Sequence, residues 1–461
     1  MGTAELDHEI DSALARDITD GVVVDSSWEQ EHMLSMEGLT TSQEARRWLL
    51  FRCHGPLVPS AVSNALDFLM RRHEALRMVF PIELRPARAL LLPPGSWPLI
   101  TICPTSSEAS DASATAAAAV RQLCDRLDPE RGPLVAAALI EGGPDQWYLA
   151  ITMHMLAWDG FSSDLFRREF SHAYNAFHAG QEPQLRDIRR PYTAIARAQR
   201  DGLSGADGHR RLDYWFRQFD QFGPAPVFHL VDEEPDAATV RQATGHADFD
   251  ISTEAAQRLI HGWRKRGTTS FVGISAAILM AVARRKAFDG PVGAKVSETG
   301  RYTADTLQAL GPLGSGLPVW VDIEGCDDYD RVVTKVHSAL FEMLEHTLPL
   351  RPMLTGYVAA REGASGFSLD EFKRIRAEPS LRLAAVPYVT TSPDLEEVTV
   401  TDVSTIVPLA YRSSAGMLIN VYEIGSSWRI RAEFPLDSYA PAVIEGLVRD
   451  AGEILERWDL S

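Results

Sequence analysis

The sequence contains few cysteines and no long apolar run. Its four cysteines, Cys53, Cys103, Cys124 and Cys326, are scattered through 461 residues without a CxxC pair. This spacing favours reduced core thiols over a disulfide framework, so we expect a cytoplasmic protein. The longest apolar runs fall short of the roughly 18 residues that indicate a transmembrane helix, and we expect no membrane association. The acidic N-terminal segment also lacks the apolar core of a secretory signal peptide.

Positive charge is also scarce. The chain has 45 Lys and Arg against 63 Asp and Glu, a formal net charge of −18. Such a field repels a phosphate backbone, so nucleic-acid binding is disfavoured. Residues 186–217 are a local exception, because arginines outnumber acids there. Either this stretch is a solvated helical face, or Arg189, Arg190 and Arg197 belong to a docking patch for an acidic partner.

The common cofactor and metal motifs are missing. The chain has no Walker loop, no GxGxxG after a strand, no HExxH and no GxSxG, and its histidines are dispersed without metal-ligand spacing. We therefore expect the chain itself to bind no metal and no cofactor.

The patterns that are present predict a mixed α/β protein. The length suits two or more domains, or one large duplicated unit. Helices are predicted over residues 58–73, 109–128, 328–346 and 440–457 and from Asp159 onward, with a buried one at "TTSFVGISAAILMAVARRKAF". Strands are predicted at "LRMVF", "PLVAAALIEG", "QWYLAITMH", "PVGAKVSE" and "LPVWVDIE", and near 385–392, 397–407, 415–423 and 426–433. A polar, Gly-containing stretch near 180–205 suggests two subdomains, 20–185 and 186–461.

The stretch "TMHMLAWDGFSSD", Thr152 to Asp164, is the main candidate site. A predicted strand ends at His154, and Asp159-Gly160 precedes an amphipathic helix, an arrangement in which active-site loops are common. A structural interpretation remains open for each residue. His154 also suits the role of a hydrogen-bonded structural residue, and Asp159 also suits the role of a helix cap or a turn residue.

At this stretch the chain resembles the condensation domains of nonribosomal peptide synthetases, relatives of chloramphenicol acetyltransferase. Their signature MHHxxxDGxS aligns with Met153 to Ser162, and only the second His differs, being Met155 here. Further similarity is carried by "RHEALRMVF", by "SWEQEHML" with His32 in place of an Arg, by "YTAIARAQRD" with "LDYWFRQ", and by "ETGRYTADTLQALGPLGSGLPVWV" with Ser315 in place of an Asn. "EHTLPLRPML" is a weak match to a later motif.

The resemblance implies two acetyltransferase-like subdomains in a V-shaped pseudodimer with a central tunnel. Acyl or peptidyl carrier proteins would deliver substrates on phosphopantetheine arms, a partner tailoring enzyme is a further candidate, and a monomer is expected. The resemblance makes His154 and Asp159 largely structural, pairs Asp159 with Arg301, and gives the Gly160 N–H a role in oxyanion binding. It adds Arg77 as structural support.

In the family the second His is the proposed base or amine-positioning group, and Met155 stands in its place. A Met sulfur is a weak hydrogen-bond acceptor and no base. Loss of a general base typically costs about 10²- to 10⁴-fold in rate. An α-amine has a pKa of about 8, so roughly a tenth is already nucleophilic at pH 7. An amine or thiol acceptor is therefore favoured over a hydroxyl, and His32 or a rotated His154 is a candidate replacement base.

Three hypotheses follow. The first is an atypical, free-standing condensation enzyme, since the chain looks complete in itself and retains Asp159, Gly160 and Arg301. The second is an inactive domain that binds carrier-tethered peptide and recruits partner enzymes, which Met155 and Ser315 favour. The third is a cyclisation-type or other unusual reaction, although cyclisation domains carry DxxxxD where this chain has His154 and Asp159.

Overall fold

The computed structural model describes residues 20–36, 45–95, 100–103, 112–226, 228–230, 244–361, 380–388, 392–404, 407 and 416–458. Contacts group them into two compact units. The first comprises the described residues of Met1–Leu203, Thr299–Gly314 and Thr391–Leu409, and the second those of Ser204–Glu298, Ser315–Thr390 and Ala410–Ser461. The predicted ranges 20–185 and 186–461 are contiguous in sequence, whereas these units are not.

The first unit contains two sheets. A five-stranded sheet has the order β12-β2-β7-β6-β5 and a three-stranded sheet has the order β1-β4-β3. The strands are β1 (Val22–Asp25), β2 (Arg46–His54), β3 (Met78–Val79), β4 (Arg88–Leu91), β5 (Ile100–Cys103), β6 (Val135–Gly143), β7 (Gln146–His154) and β12 (Thr399–Asp402). The helices are α1 (Trp28–Leu34), α2 (Pro59–Arg72), α3 (Ala112–Asp125), α4 (Gly160–His178) and α5 (Tyr192–Leu203).

Both faces of the five-stranded sheet are covered. Leu149 and Ile151 of β7 lie in one apolar cluster with residues of α2 and α4. Tyr148 and Ala150, on the opposite face of the same strand, lie in a second cluster with α3. Burial on both faces explains why β7 has a continuous apolar sequence instead of an alternating one.

The second unit contains a six-stranded sheet of order β10-β9-β11-β13-β14-β8. Its strands are β8 (Thr244–Ile251), β9 (Val292–Glu298), β10 (Ser315–Val321), β11 (Ser380–Tyr388), β13 (Gly416–Ile424) and β14 (Ser427–Pro435). β11 is parallel to β9 and β13, and the other neighbours are antiparallel. The helices are α6 (Ala206–Phe222), α7 (Thr253–Lys265), α8 (Ser270–Ala283), α9 (Tyr329–Glu345), α10 (Leu350–Arg361) and α11 (Pro441–Arg457).

The mixed α/β prediction is confirmed, and most predicted elements are present. The segment "LRMVF" is corrected in part, because Glu74–Arg77 forms a 3-10 turn and only Met78–Val79 is a strand. The strand predicted near 385–392 begins earlier, at Ser380, and residues 389–391 lie outside the described part of the chain. Within the described ranges, no single helix is long and apolar enough to cross a membrane, although the bent pair α7–α8 passes on length and composition.

Candidate functional site

The loop between β7 and α4 is fixed by its backbone. The His154 N–H donates to the Leu134 carbonyl at 2.8 Å, the Met155 N–H to the Ala45 carbonyl at 2.8 Å, and the Ala157 N–H to the His154 carbonyl at 2.9 Å. The strand therefore ends in a tight turn that delivers Asp159 to the first turn of α4.

His154 is fully buried. Its Nδ1 accepts a hydrogen bond from the Leu156 N–H at 3.1 Å, so a neutral His154 ring carries its proton on Nε2. A ring held in this way stabilises the turn and has no exposed edge for a substrate.

Met155 is half-buried and packs against the apolar cluster under the five-stranded sheet. The Met155 N–H donates to the Ala45 carbonyl, and this hydrogen bond fixes the backbone from which the side chain projects. Met155 places a flexible apolar surface at the position of the family's second His.

Asp159 caps α4. Its Oδ1 accepts from the Ser162 N–H at 2.9 Å and from the Ser162 hydroxyl at 2.7 Å. Its Oδ2 accepts from the backbone N–H groups of Leu313 at 3.0 Å and Gly314 at 3.1 Å. The carboxylate thus joins the start of α4 to residues 299–314.

Arg301 completes this connection. Its Nη1 donates to Asp159 Oδ2 at 2.7 Å, and the side chain is fully buried. It also donates to the carbonyls of Thr299 at 2.7 Å, Ala309 at 3.0 Å and Gly311 at 2.8 Å. Because these acceptors lie along the segment 299–314, Arg301 fixes the shape of that segment as well as pairing with Asp159.

Gly160 is exposed and is the first residue of α4, a helix of 19 residues. A Cβ atom built on it would meet no atom within 4 Å. The N-terminus of a helix carries partial positive charge and favours an anion. The backbone at Gly160 is therefore open to the approach of a negatively charged group.

His32 lies on α1 and is buried at 8% exposure. Ser27 and Gln30 form a capping box at the start of this helix. The Gln30 side chain also donates to the Leu156 carbonyl at 2.8 Å, so α1 packs against the turn that carries Met155. A role for His32 as a base stays a prediction.

The polar side chains of the "RHEALR" segment form hydrogen bonds and ion pairs with residues of α4 and α5. Arg72 Nε donates to Glu169 Oε2 at 3.0 Å, and His73 Nε2 lies 2.7 Å from the same oxygen. Glu74 accepts from the Thr193 N–H at 3.0 Å, at the start of α5. Burial would raise the pKa of Glu169, but the hydrogen bonds and charges of His73 and Arg72 outweigh it and hold that pKa below its ordinary value.

Glu169 and Tyr192 were not identified from the sequence. Glu169 lies between Phe166 and Phe170 on the buried face of α4. A charged residue on an otherwise apolar helix face is the sequence feature that could have identified it. The Tyr192 hydroxyl donates to the Pro312 carbonyl at 2.8 Å, and burial raises the pKa of this phenol. Tyr192 is thus a second support for the segment 299–314.

In the arginine-rich stretch, Arg189 and Arg190 are exposed. Arg197 is 69% exposed and lies 3.5 Å from Asp25, whereas Arg200 donates to Glu31 at 2.7 Å. Docking of an acidic partner through Arg189, Arg190 and Arg197 stays a prediction.

Two other motif positions lie in the second unit. The Ser315 N–H donates to Glu298 Oε1 at 3.1 Å, at the start of β10. Trp215 of the "LDYW" segment donates its indole N–H to the His346 carbonyl at 2.7 Å, and Tyr214 stacks on the His346 ring. The weakly matching "EHTLPL" segment is therefore bound to α6.

Among the described residues, no cluster of three or more His, Cys, Asp or Glu side chains is arranged to hold a metal ion.

Residues 27–358 match the family model of the condensation domain. Among curated proteins, the chain is similar to malpinin synthetase of Mortierella alpina, with 27% identity over 307 residues, 65% of this chain and 4% of that protein. It is 27% identical to phosphinothricin tripeptide synthetase PhsB of Streptomyces viridochromogenes over 63% of this chain and 24% of that protein. The chain thus spans only a small part of these relatives.

Solved structures share the fold at low sequence identity. The epimerization domain of the third module of tyrocidine synthetase B has a TM-score of 0.76 and 17% identity, covering 94% of this chain and 97% of that one. The X-domain from teicoplanin biosynthesis has a TM-score of 0.71 and 18% identity, covering 94% and 95%. The family match extends over most of the sequence and includes the loop with Asp159, so the chain belongs to the condensation-domain family.

Proposed function

We propose that this chain is an atypical condensation enzyme that joins a carrier-bound acyl or aminoacyl thioester to an amine or thiol acceptor in nonribosomal peptide biosynthesis. The observation that carries the proposal is the loop itself. The Asp159–Arg301 pair holds the N-terminus of α4 in place, and the backbone at Gly160 is open. Fixed dipoles at the place where negative charge develops are a major source of catalysis in acyl transfer.

The reaction assigned to this loop is attack of a neutral amine or a thiolate on the thioester carbonyl. A tetrahedral oxyanion forms and then collapses as the carbon–sulfur bond to the carrier breaks, and the carrier leaves as a thiolate. With an amine acceptor, the nitrogen also loses a proton to solvent, and the released thiolate takes up a proton from solvent. The N-terminus of α4 would stabilise the oxyanion. His154 is buried with Nδ1 engaged, and Met155 cannot accept a proton, so the acceptor would enter the site already deprotonated.

This mechanism selects among acceptors. An amine with a pKa of about 8 is roughly one-tenth deprotonated at pH 7, whereas an alcohol needs a base as the bond forms. Amine and thiol acceptors are therefore assigned, with the acyl donor on phosphopantetheine. The proposal includes carrier proteins that deliver the acyl donor in the cytoplasm.

The second candidate is a domain without catalytic activity that binds carrier-tethered peptide and recruits a tailoring enzyme. Met155 favours it, because the residue supplies only an apolar surface where the family's second His would stand. Ser315 favours it as a further departure from the family pattern.

Turnover separates the two candidates. Wild type, Met155→His and Met155→Leu would be given acyl-carrier and acyl-pantetheine thioesters with amine, thiol and alcohol acceptors, and products would be read by mass spectrometry. The enzyme proposal expects wild-type products with amines or thiols, no gain in Met155→His with those acceptors, and Met155→Leu close to wild type. A wild type that binds loaded carrier but forms no product would support the recruiter, most strongly if Met155→His restored turnover.

A further inference from the structure

The first unit contains a cavity of about 270 Å³ with a basic wall, outside the loop described above. Three arginines, Arg71, Arg72 and Arg77, contribute to the wall, against one carboxylate, Glu74. The rest of the wall includes His73, Ile188, Tyr192 and Leu310. Three guanidinium groups around one cavity are unusual in a chain whose net charge is −18. This is the chemistry that recognises an oxyanion.

The carboxylate that lines this cavity, Glu74, and the two carboxylates bound to its arginines already have partners. Glu74 accepts from the Thr193 N–H and from the Thr193 hydroxyl at 2.8 Å. Glu169 accepts from Arg72 and contacts His73. Asp67 pairs with Arg71 one helical turn away on the exposed side of α2.

Arg77 is the arginine of the wall for which no ion pair is found among the described residues. The residue is only 7% exposed. Its Nε donates to the Met70 carbonyl at 3.0 Å and its Nη1 donates to the Leu92 carbonyl, but both acceptors are neutral. Among the described residues, no carboxylate lies within ion-pair distance of Arg77, although Glu74 lines the same cavity. A buried cation that lacks an ion pair is costly, so an anion in the cavity would be stabilising.

Burial also lowers the pKa of Arg77, and the nearby charge of Glu74 offsets this only in part. That direction is expected for a guanidinium that is taken out of water while a nearby carboxylate compensates only in part. A bound anion would supply the missing charge.

We propose that this cavity binds a phosphate group, with Arg77 as its principal donor and with Arg71, which also pairs with Asp67, as a second donor. Two fork-shaped guanidinium groups match the several oxygens of a tetrahedral phosphate. The cavity of about 270 Å³ corresponds to roughly nine water molecules at about 30 Å³ each, which leaves room for a phosphate and part of an ester. Two sources share this chemistry, namely free inorganic phosphate and a phosphate ester such as that of phosphopantetheine.

The arginine-rich stretch gives this cavity a basic rim. Arg189 and Arg190 are exposed and lie between Ile188 and Pro191, two residues of the wall. Arg72 Nη2 donates to the Arg186 carbonyl at 2.6 Å, which fixes the stretch against α2. Exposed arginines at the entrance would raise the local concentration of an anion in a salt-dependent way.

Isothermal titration calorimetry on the full chain tests the proposal, with inorganic phosphate added at constant ionic strength. Wild type is expected to bind with a Kd of about 1 mM or tighter. Arg77→Met should weaken binding by at least about tenfold, and Arg71→Gln by about three- to tenfold. The matched control is Arg88→Gln on β4, which removes an arginine that is 61% exposed and lies outside the wall, and its Kd should equal that of wild type.

The two sources are separated by titrating phosphopantetheine against pantetheine, which lacks the phosphate. Binding of phosphopantetheine more tightly than inorganic phosphate would indicate an ester, and the reverse order would indicate free phosphate. If Arg77→Met does not fold by circular dichroism, Arg77→Lys and Arg71→Gln decide the question. The proposal is overturned if wild type shows no saturable binding up to about 10 mM phosphate, or if Arg71→Gln and Arg88→Gln bind alike. Either result leaves the proposed condensation activity untouched.

Discussion

At the scale of single residues, Asp159 carries much of the organisation of the loop. One carboxylate caps α4 through Ser162, pairs with the fully buried Arg301 and accepts from two backbone N–H groups of residues 313–314. The two sequence-based interpretations of Asp159, a helix cap and a partner of Arg301, therefore describe the same side chain. A neutral amide at this position would keep part of the cap but lose the charge that Arg301 needs.

Asp159→Asn should lower the free energy of unfolding by about 3–5 kcal/mol, because it leaves Arg301 buried without its counter-ion. Urea denaturation of the wild type and the variant, followed by tryptophan fluorescence, measures the difference. Asp67→Asn is the matched control, since the Asp67–Arg71 pair is 43% and 50% exposed. That substitution should cost no more than about 0.5 kcal/mol. Equal costs for the two variants would contradict the importance assigned to the buried pair.

At the scale of elements, the segment 299–314 is held in the first unit although its sequence neighbours on both sides belong to the second. Gly300 shows how closely this segment folds back on itself. It has a φ of +64°, and a Cβ atom there would lie 2.0 Å from the Leu313 carbonyl oxygen. Only glycine satisfies both the left-handed backbone and the close approach.

Gly300→Ala and Gly425→Ala distinguish the cost of the left-handed backbone from the cost of the close approach to the Leu313 carbonyl. Gly425 has the same φ of +64°, but a Cβ atom there would meet nothing within 4 Å. Gly425→Ala should therefore cost only the left-handed conformation, about 1–2 kcal/mol. Gly300→Ala should cost about 1–3 kcal/mol more, because the carbonyl must also move. Chemical denaturation compares the two variants, and a Gly300→Ala cost no larger than that of Gly425→Ala would show that the segment adapts freely.

At the scale of the whole molecule, stability in acid depends on carboxylates whose pKa is lowered by arginine or histidine partners. The pKa of Glu169 is lowered by His73 and Arg72, in spite of burial, which acts in the opposite direction. The hydrogen bond and the charge of Arg431 lower the pKa of Asp248 in the second unit. A carboxylate with a lowered folded-state pKa stabilises the fold above its unfolded pKa, which is about 4.3 for Glu. That contribution is lost as the pH falls through the folded-state pKa.

The free energy of unfolding should therefore fall steeply as the pH decreases below about 4.5. Glu169→Gln should be less stable than wild type at pH 7 but should lose less stability on acidification, since it has no carboxylate to protonate. Denaturation series from pH 7 to about pH 3 measure both slopes. Glu130→Gln, at a position that is 46% exposed, is the control and should follow wild type. A Glu169→Gln slope identical to that of wild type would exclude a contribution of Glu169 to acid sensitivity.

The sequence by itself determined the mixed α/β class, most of the helices and strands, and the alignment of Met153 to Ser162 with the family signature. These features depend on local periodicity and on residue identity at fixed spacing, and both are visible in a single chain. Even the departure at Met155, which raises the choice between an enzyme and a binding domain, is a property of the sequence.

Only the tertiary structure decided which distant residues meet. β12 pairs with β2 although more than 340 residues separate them, and no local pattern indicated this pairing. The contact of Arg301 with Asp159, across 142 positions, was expected only because of the family resemblance. Glu169 looked like one more residue of an amphipathic helix until the fold placed His73 and Arg72 beside it. The electrostatic environment of Arg77, which lies near Glu74 without forming an ion pair, likewise depends on the fold. Such contacts depend on chain topology and three-dimensional packing, and the local pattern around each residue carries no record of its distant partners.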